Sequence, residues 1–472
     1  MKQNQSAFFG IVFMLAGAAF FGGCSAAYSG KATDLRGAWK QGNFAFAEQL
    51  VAEEVQDADD KDRLIWQLEH ASVLRGQQRN AEAQLALDAA AATLESWDEK
   101  ADFLISQETV ATLSSLASLP YRGRGIDRIM LQTYRALNYL EAGKRDEARV
   151  ALNAAFQAQS DAVETNRKHI EKAQASAAEN EVDLVSLESL PSVAEALEKE
   201  KSASSEFAAY ADYVNPFTTW LHGICFIHAG TDGADRERGR KSLERVAQME
   251  PGNAFVREDL AQVTPANEAL TYVIFEYGVA PTLVASRIDE FFPFPVGNGN
   301  FTIAPFCIAL PKLSREQSAG IPVMRANDIS AQTLCDMNRA VKTDFENAYP
   351  AVLARTLTTA FLKTAASVAA NAAAEEYARR DGSTAAALIA LGGMIATNAF
   401  TYASAEADLR IWQTLPENFS VVRLPTPESR RLQVEVAGHR VQVELLPGKV
   451  NIVLVKAVGF ALEPKVNQFI LK

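Results

Sequence analysis

The chain has 472 residues, of which 48 % are apolar and 22 % charged, and its formal charge is −12. This is ordinary globular usage and excludes disordered and collagen-like classes. The acidic balance argues against nucleic-acid binding, which needs clustered Lys and Arg. Four cysteines are too few for a disulfide scaffold, and five histidines leave little for metal or acid–base chemistry, so no cofactor is expected.

Residues 1–23 differ from everything that follows. Lys2 is their only charge, and Ala7 to Phe21 form an apolar run that ends in Gly22-Gly23-Cys24. A short positive start, an apolar core and small residues before a cleavage point read as an export signal. The core is shorter than the ~20 residues of a transmembrane helix. Gly22-Gly23-Cys24 resembles a bacterial lipobox, with Phe21 standing where Leu is usual. The resemblance implies cleavage before Cys24, acylation of its thiol, and several acyl chains holding the protein on a membrane. Ser25, where an Asp would favour inner-membrane retention, points to the outer membrane with the chain facing the periplasm. Residues 24–30 are then a short linker.

A period follows over 31–265. Gly42, Gly76 and Gly143 each have an alanine five residues on, at Ala47, Ala81 and Ala148, and an apolar residue nine on, at Val51, Leu85 and Leu152. A spacing of 34 between Gly42 and Gly76 is the tetratricopeptide (TPR) signature of paired antiparallel helices. Gly would close the first helix through a positive φ, and Ala would let the second approach closely. A fourth copy is expected at Thr219–Asn253 and a degenerate one near 97–120. Residues 157–212, polar and glycine-free around Pro191, read as a helical insert with a loop near 186–192.

The character changes at 268–472. Tyr272 to Tyr277 reads as a strand, with further strands at Phe301–Leu310, Pro322–Arg325 and near 419–424, 431–437, 440–446 and 450–457. Helices are expected at about 329–347, 350–380 and 384–409. Residues 382–405 carry no charge, and their Ala-, Thr- and Gly-rich composition predicts a helix buried against the sheet rather than in a membrane. Phe291, Phe292 and Phe294 are expected in an exposed loop. The fold class is therefore α+β: a TPR-like α-solenoid followed by a mixed or antiparallel sheet with packed helices.

Two further segments carry a resemblance. Phe275-Glu276-Tyr277-Gly278-Val279-Ala280-Pro281 and Ala407-Asp408-Leu409-Arg410-Ile411-Trp412-Gln413-Thr414-Leu415-Pro416 are similar to hallmarks of a family of bacterial envelope lipoproteins with N-terminal TPRs and no established activity. The resemblance implies architecture and compartment, and hints at association with envelope proteins. On a helix end Asp408 and Trp412 would share a face with Arg410 pointing away. An ion pair by Asp408 or Arg410 and a plug formed by Trp412 is the reading favoured over catalysis.

Other chemistry is sparse. His222, Cys225 and His228 diverge around one helix turn and make a poor zinc site. No nucleophile elbow, Walker loop, dinucleotide fingerprint or HExxH is present. Cys307 and Cys335 are possible disulfide partners in an oxidising compartment. The expectation is a membrane-anchored scaffold for envelope protein partners, with a cell-wall or polysaccharide-active enzyme as the alternative.

Overall fold

Strand β1 (Leu270–Tyr277) is buried at every position, and the rest of the molecule is arranged around that fact. A computed structural model describes residues 24–57, 59–99, 115–204, 209–210, 214–263, 268–297, 299–314, 320–459 and 462–472. The signal segment and residues 100–114 of the degenerate repeat lie outside these. The fold is α+β.

Among the described residues, four helix pairs form the solenoid. They are α1 (Cys24–Gln41) with α2 (Phe44–Asp57), and α3 (Arg63–Gly76) with α4 (Asn80–Glu99). Next come α5 (Gly125–Glu141) with α6 (Arg145–Glu179); after α7 (Leu184–Glu188) and α8 (Pro191–Ser204), the fourth pair is α9 (Pro216–His228) with α10 (Gly233–Met249), and α11 (Ala254–Ala261) closes the array.

Gly42 and Gly143 have the left-handed φ that the repeat demands, +71° and +74°, and Ala47, Val51, Ala148 and Leu152 are buried. The middle copy departs from the expected register. Gly76 is still helical, and Gln78 takes the left-handed turn at φ +62°. Ala83 and Leu87, five and nine residues after Gln78, are therefore the buried pair, while Ala81 and Leu85 face solvent. Gly76 matters for space: a Cβ there would come within 2.7 Å of the Trp39 ring. The insert also differs. Helix α6 runs unbroken to Glu179, and α7 and α8 follow it.

Among the described residues, three sheets follow. The central one has the order β11 (Lys465–Ile470), β10 (Val450–Ala457), β1, β7 (Asn418–Pro425), β6 (Gln332–Asp336). It is mixed, since β1 pairs parallel with β10 and antiparallel with β7. Strands distant in sequence thus share one sheet. One face, with Tyr272, Ile274, Phe419, Val421, Ile452 and Leu454, packs on the first helices of the repeats. The other, with Val273, Phe275, Val422, Leu424, Val453 and Val455, packs on a smaller sheet of β5 (Ile329–Ser330), β4 (Met324–Ala326), β8 (Arg431–Val436) and β9 (His439–Glu444). Burial on both faces explains the continuous apolar run in β1. Ala437 and Gly438, both at positive φ, make the tight turn between β8 and β9.

The third sheet corrects the expected aromatic loop. Residues 282–314 form a long two-stranded ribbon, β2 (Thr282–Gly297) with β3 (Asn300–Ser314), in which Phe294 is buried and Phe291 exposed. Its inner side joins α7, α8 and the long helix α12 (Met337–Asp381), which passes through Pro350 without a break. Helix α13 (Thr384–Ala403) follows in antiparallel contact with α12. The expectation that it lies buried against the sheet fails. Both faces of the central sheet are already covered, so α13 rests on α12, and most of it is exposed.

The register of the second repeat is open to a direct check. Ala83→Leu should cost about 1–3 kcal/mol by overpacking, whereas Ala81→Leu should change stability by less than about 0.5 kcal/mol. Denaturant unfolding of the two variants decides it, and the reverse order would restore the 34-residue spacing.

Candidate functional site

The first helices of the pairs line one face of the solenoid. Here that face is occupied by the chain itself. Helix α13 ends at Ala403, and residues 405–417 run as an irregular strap to β7. Asp408, Arg410 and Trp412 are therefore on irregular backbone, not on the expected helix end.

The solenoid grips this strap largely by its backbone. Tyr28 Oη donates to the Ile411 carbonyl at 3.3 Å, and Arg36 Nη1 donates to that of Gln413 at 3.0 Å. Arg124 Nε donates to the Arg410 carbonyl at 3.1 Å, and Glu69 accepts from the Gln413 amide. The first family-like segment lies alongside. Ala280 N donates to Leu415 O at 2.8 Å, Glu417 N to Tyr277 O at 2.9 Å, and Arg36 Nη2 to Ala280 O at 2.8 Å. Gly278 needs its φ of +74° here, beside Glu417.

Arg410 is the main clamp. Its guanidinium donates to the carbonyls of Lys61 (3.1 Å), Leu119 (2.8 Å) and Leu116 (3.0 Å), and pairs with Asp62 (3.0 Å) and Asp408 (2.8 Å). Such a fork suits guanidinium geometry, which an ammonium does not reproduce. Burial opposes ionisation of Asp408, but Arg410 beside it holds the carboxyl below its ordinary range. Trp412 is fully buried, donates to Ser72 Oγ at 2.9 Å and meets the Tyr134 ring edge-on at 5.8 Å.

A second buried cluster joins the solenoid to β1 and β10. Arg75 lies 3.6 Å from Glu276 and 3.8 Å from Glu141, and Lys456 lies 3.7 Å from Glu276. Arg75 also bonds Asn138 and sits 4.6 Å over the Tyr134 ring. Burial pushes the Lys456 ammonium down to about 8, with Glu276 opposing that shift. Burial likewise raises Glu69 to about 8, against the bonds from Thr414 and Gln413.

These partners, Arg36, Glu69, Arg75 and Lys456, escape the motif search, and Glu276 enters it only as part of the Phe275–Pro281 segment. Their common signal is a lone charge inside an apolar run, as in Leu64-Ile65-Trp66-Gln67-Leu68-Glu69 and Asn451-Ile452-Val453-Leu454-Val455-Lys456.

The remaining candidates sort as follows. His222 Nδ1 is 3.0 Å from Ser242 Oγ, and His228 Nε2 is 3.2 Å from Tyr272 Oη. Burial pushes both imidazoles down to about 4. Cys225, Cys307 and Cys335 are free and buried. No group of three His, Cys, Asp or Glu side chains is placed to hold a metal among the described residues. Two clefts open nearby. One of about 580 Å³ lies between the α5–α6 turn and β11; the other, of about 210 Å³, includes Tyr28, Asp62, Arg287 and Asp408.

Compared with family models, curated proteins and solved structures, the chain matches none of them.

Removing the clamp should destabilise the joined halves together. Arg410→Ala is expected to cost about 3–5 kcal/mol, the usual result of stranding a buried partner. Arg410→Lys should not recover it, and a loss below about 1 kcal/mol in denaturant unfolding would contradict the clamp. Glu69 gives a pH test. Its raised value means that its contribution is fully present below pH 4.5 and fades as pH rises through about 8. The melting temperature of wild type should fall relative to Glu69→Gln between about pH 6 and about pH 8.5. Parallel curves would show that Glu69 stays ionised when buried.

Proposed function

We propose that the protein is a lipid-anchored periplasmic scaffold of the outer membrane, acting through protein–protein contacts in cell-envelope assembly or maintenance. The observation that carries the reading is the use made of the two family-like segments. Asp408, Arg410, Trp412 and Glu276 bind the solenoid to the sheet, so residues that invite a catalytic reading act as internal fasteners. Asp408 and Arg410 border the smaller cleft, but their charged atoms are committed to each other, to Asp62 and to backbone carbonyls, whereas chemistry on a substrate would need them directed to it.

Anchoring is supported by the lipobox-like Gly22-Gly23-Cys24. The thiol would carry acyl chains there, and the solenoid would start directly at the membrane, without the expected linker of 24–30. Because the face lined by the first helices is filled from within, partners would meet the outer helices. Phe46 on α2, Leu85 on α4 and Val150 on α6 are large apolar side chains exposed there. The enzyme alternative would require one of the two clefts to take a glycan.

Mass spectrometry of the N-terminal peptide from envelopes tests the anchor. An acylated Cys24 as first residue, and loss of both the acyl mass and the cleavage before residue 24 in Cys24→Ala, are expected. A free thiol on an uncleaved or unmodified peptide would overturn it. Photo-crosslinkers at Leu85 and Val150 test the scaffold in the same cells, where discrete adducts are expected and their absence at both positions would count against it.

A further inference from the structure

Helix α13 is built inside out. The side chains it buries are small or polar: Ala386, Ala390, Thr397 and Thr401. Thr397 Oγ1 donates to Asn371 Oδ1 at 2.8 Å, and Ser367 Oγ to Asn398 Oδ1 at 3.3 Å, so polar groups join α13 to α12. Its large apolar side chains, Leu388, Ile389, Leu391 and Ile395, point outward and are 53–65 % exposed. A helix on a water-facing surface shows the opposite arrangement. Small residues and interhelical hydrogen bonds inside, with aliphatic side chains outside, suit a helix pair in contact with lipid.

The ribbon repeats the pattern. Cross-strand partners Pro293 with Ile303 and Pro295 with Phe301, together with Phe291, put an apolar patch on its outer face. No charge occurs from Phe291 to Pro311 or from Gly382 to Ala405. Prolines at 293, 295, 305 and 311 remove backbone donors, which discourages pairing with another strand. Arg287 ties the two elements together by donating to the Tyr402 carbonyl at 2.7 Å.

The place where the undescribed chain ends selects the occupant. Ser29 and Tyr28, about one turn into α1, line the same cleft as Ala405 and Glu406, just past the end of α13. The described chain therefore begins near the base of the uncharged hairpin. We propose that the outer face of α13, with the Phe291–Ile303 face of the ribbon, docks on the lipid bilayer next to which Cys24 is held. The choice of bilayer rests on the anchored reading above; the lipid affinity of this surface does not. The hairpin lies along the interface instead of crossing it, because Glu375, Glu376, Arg379, Arg380 and Asp381 stand at its tip.

The test uses residues 24–472 carrying Cys24→Ser, hence without acyl chains, and vesicles of phosphatidylethanolamine and phosphatidylglycerol. The protein should float with the vesicles. Leu391→Glu with Ile395→Glu, and separately Phe301→Glu with Ile303→Glu, should each lower the bound fraction roughly tenfold at unchanged melting temperature, since the substituted positions are exposed. A folded wild-type chain that stays unbound would overturn the proposal, as would variants that float like wild type. Dimers that dissociate in the variants without vesicle binding would assign the face to a second copy instead. Failure of the anchored reading is distinct, because it is read from the mass of the Cys24 peptide and not from flotation.

Discussion

The central sheet has two apolar faces and needs a cover on each. The small sheet of β4, β5, β8 and β9 covers one, and the other is left to the solenoid. At ~25 cal/mol per Å² of apolar surface, exposing Tyr272, Ile274, Phe419, Val421, Ile452 and Leu454 together would be costly. This constraint makes the boundary near residue 265 a change of secondary structure and not of core. Residues from Tyr28 to Leu471 belong to one apolar cluster.

The same constraint explains the polar network at the junction. The solenoid face lined by the first helices receives the strap 405–417, whose backbone groups must be satisfied once buried. Tyr28, Arg36, Glu69 and Arg124 meet those groups. Arg410 works in reverse: from the strap it satisfies the carbonyls of Leu116 and Leu119, at the short 3-10 turn 116–118, and of Lys61, in the turn before α3. Each half thus completes the hydrogen bonds of the other.

How far the sequence reveals this varies with the kind of signal. Gly42 with Ala47 and Gly143 with Ala148 are legible because a left-handed turn and a close helix contact both restrict the residue type. Gly76 misleads for the same reason. It is small to admit Trp39, while Gln78 takes the strained turn and shifts Ala83 into the contact in place of Ala81. The strap carried a readable sign: Ala407, Leu409 and Ile411 alternate with Asp408 and Arg410, a period of two that suits extended chain. Helix α13 fails for a different reason. Mean composition describes how apolar it is, but its orientation depends on which face holds the small residues, and only the partner helix α12 shows that. The partners of Arg410 lie some 290 to 350 positions away, beyond any local pattern.

The central claim is that solenoid and sheet are one cooperative unit. Hydrogen exchange read by mass spectrometry under rising denaturant measures it on α3 and on β1 and β10 in the intact chain. These segments should open with the same free energy and the same denaturant dependence, and Arg410→Ala should lower both together. Helices that exchange while β1 and β10 stay protected would contradict the account.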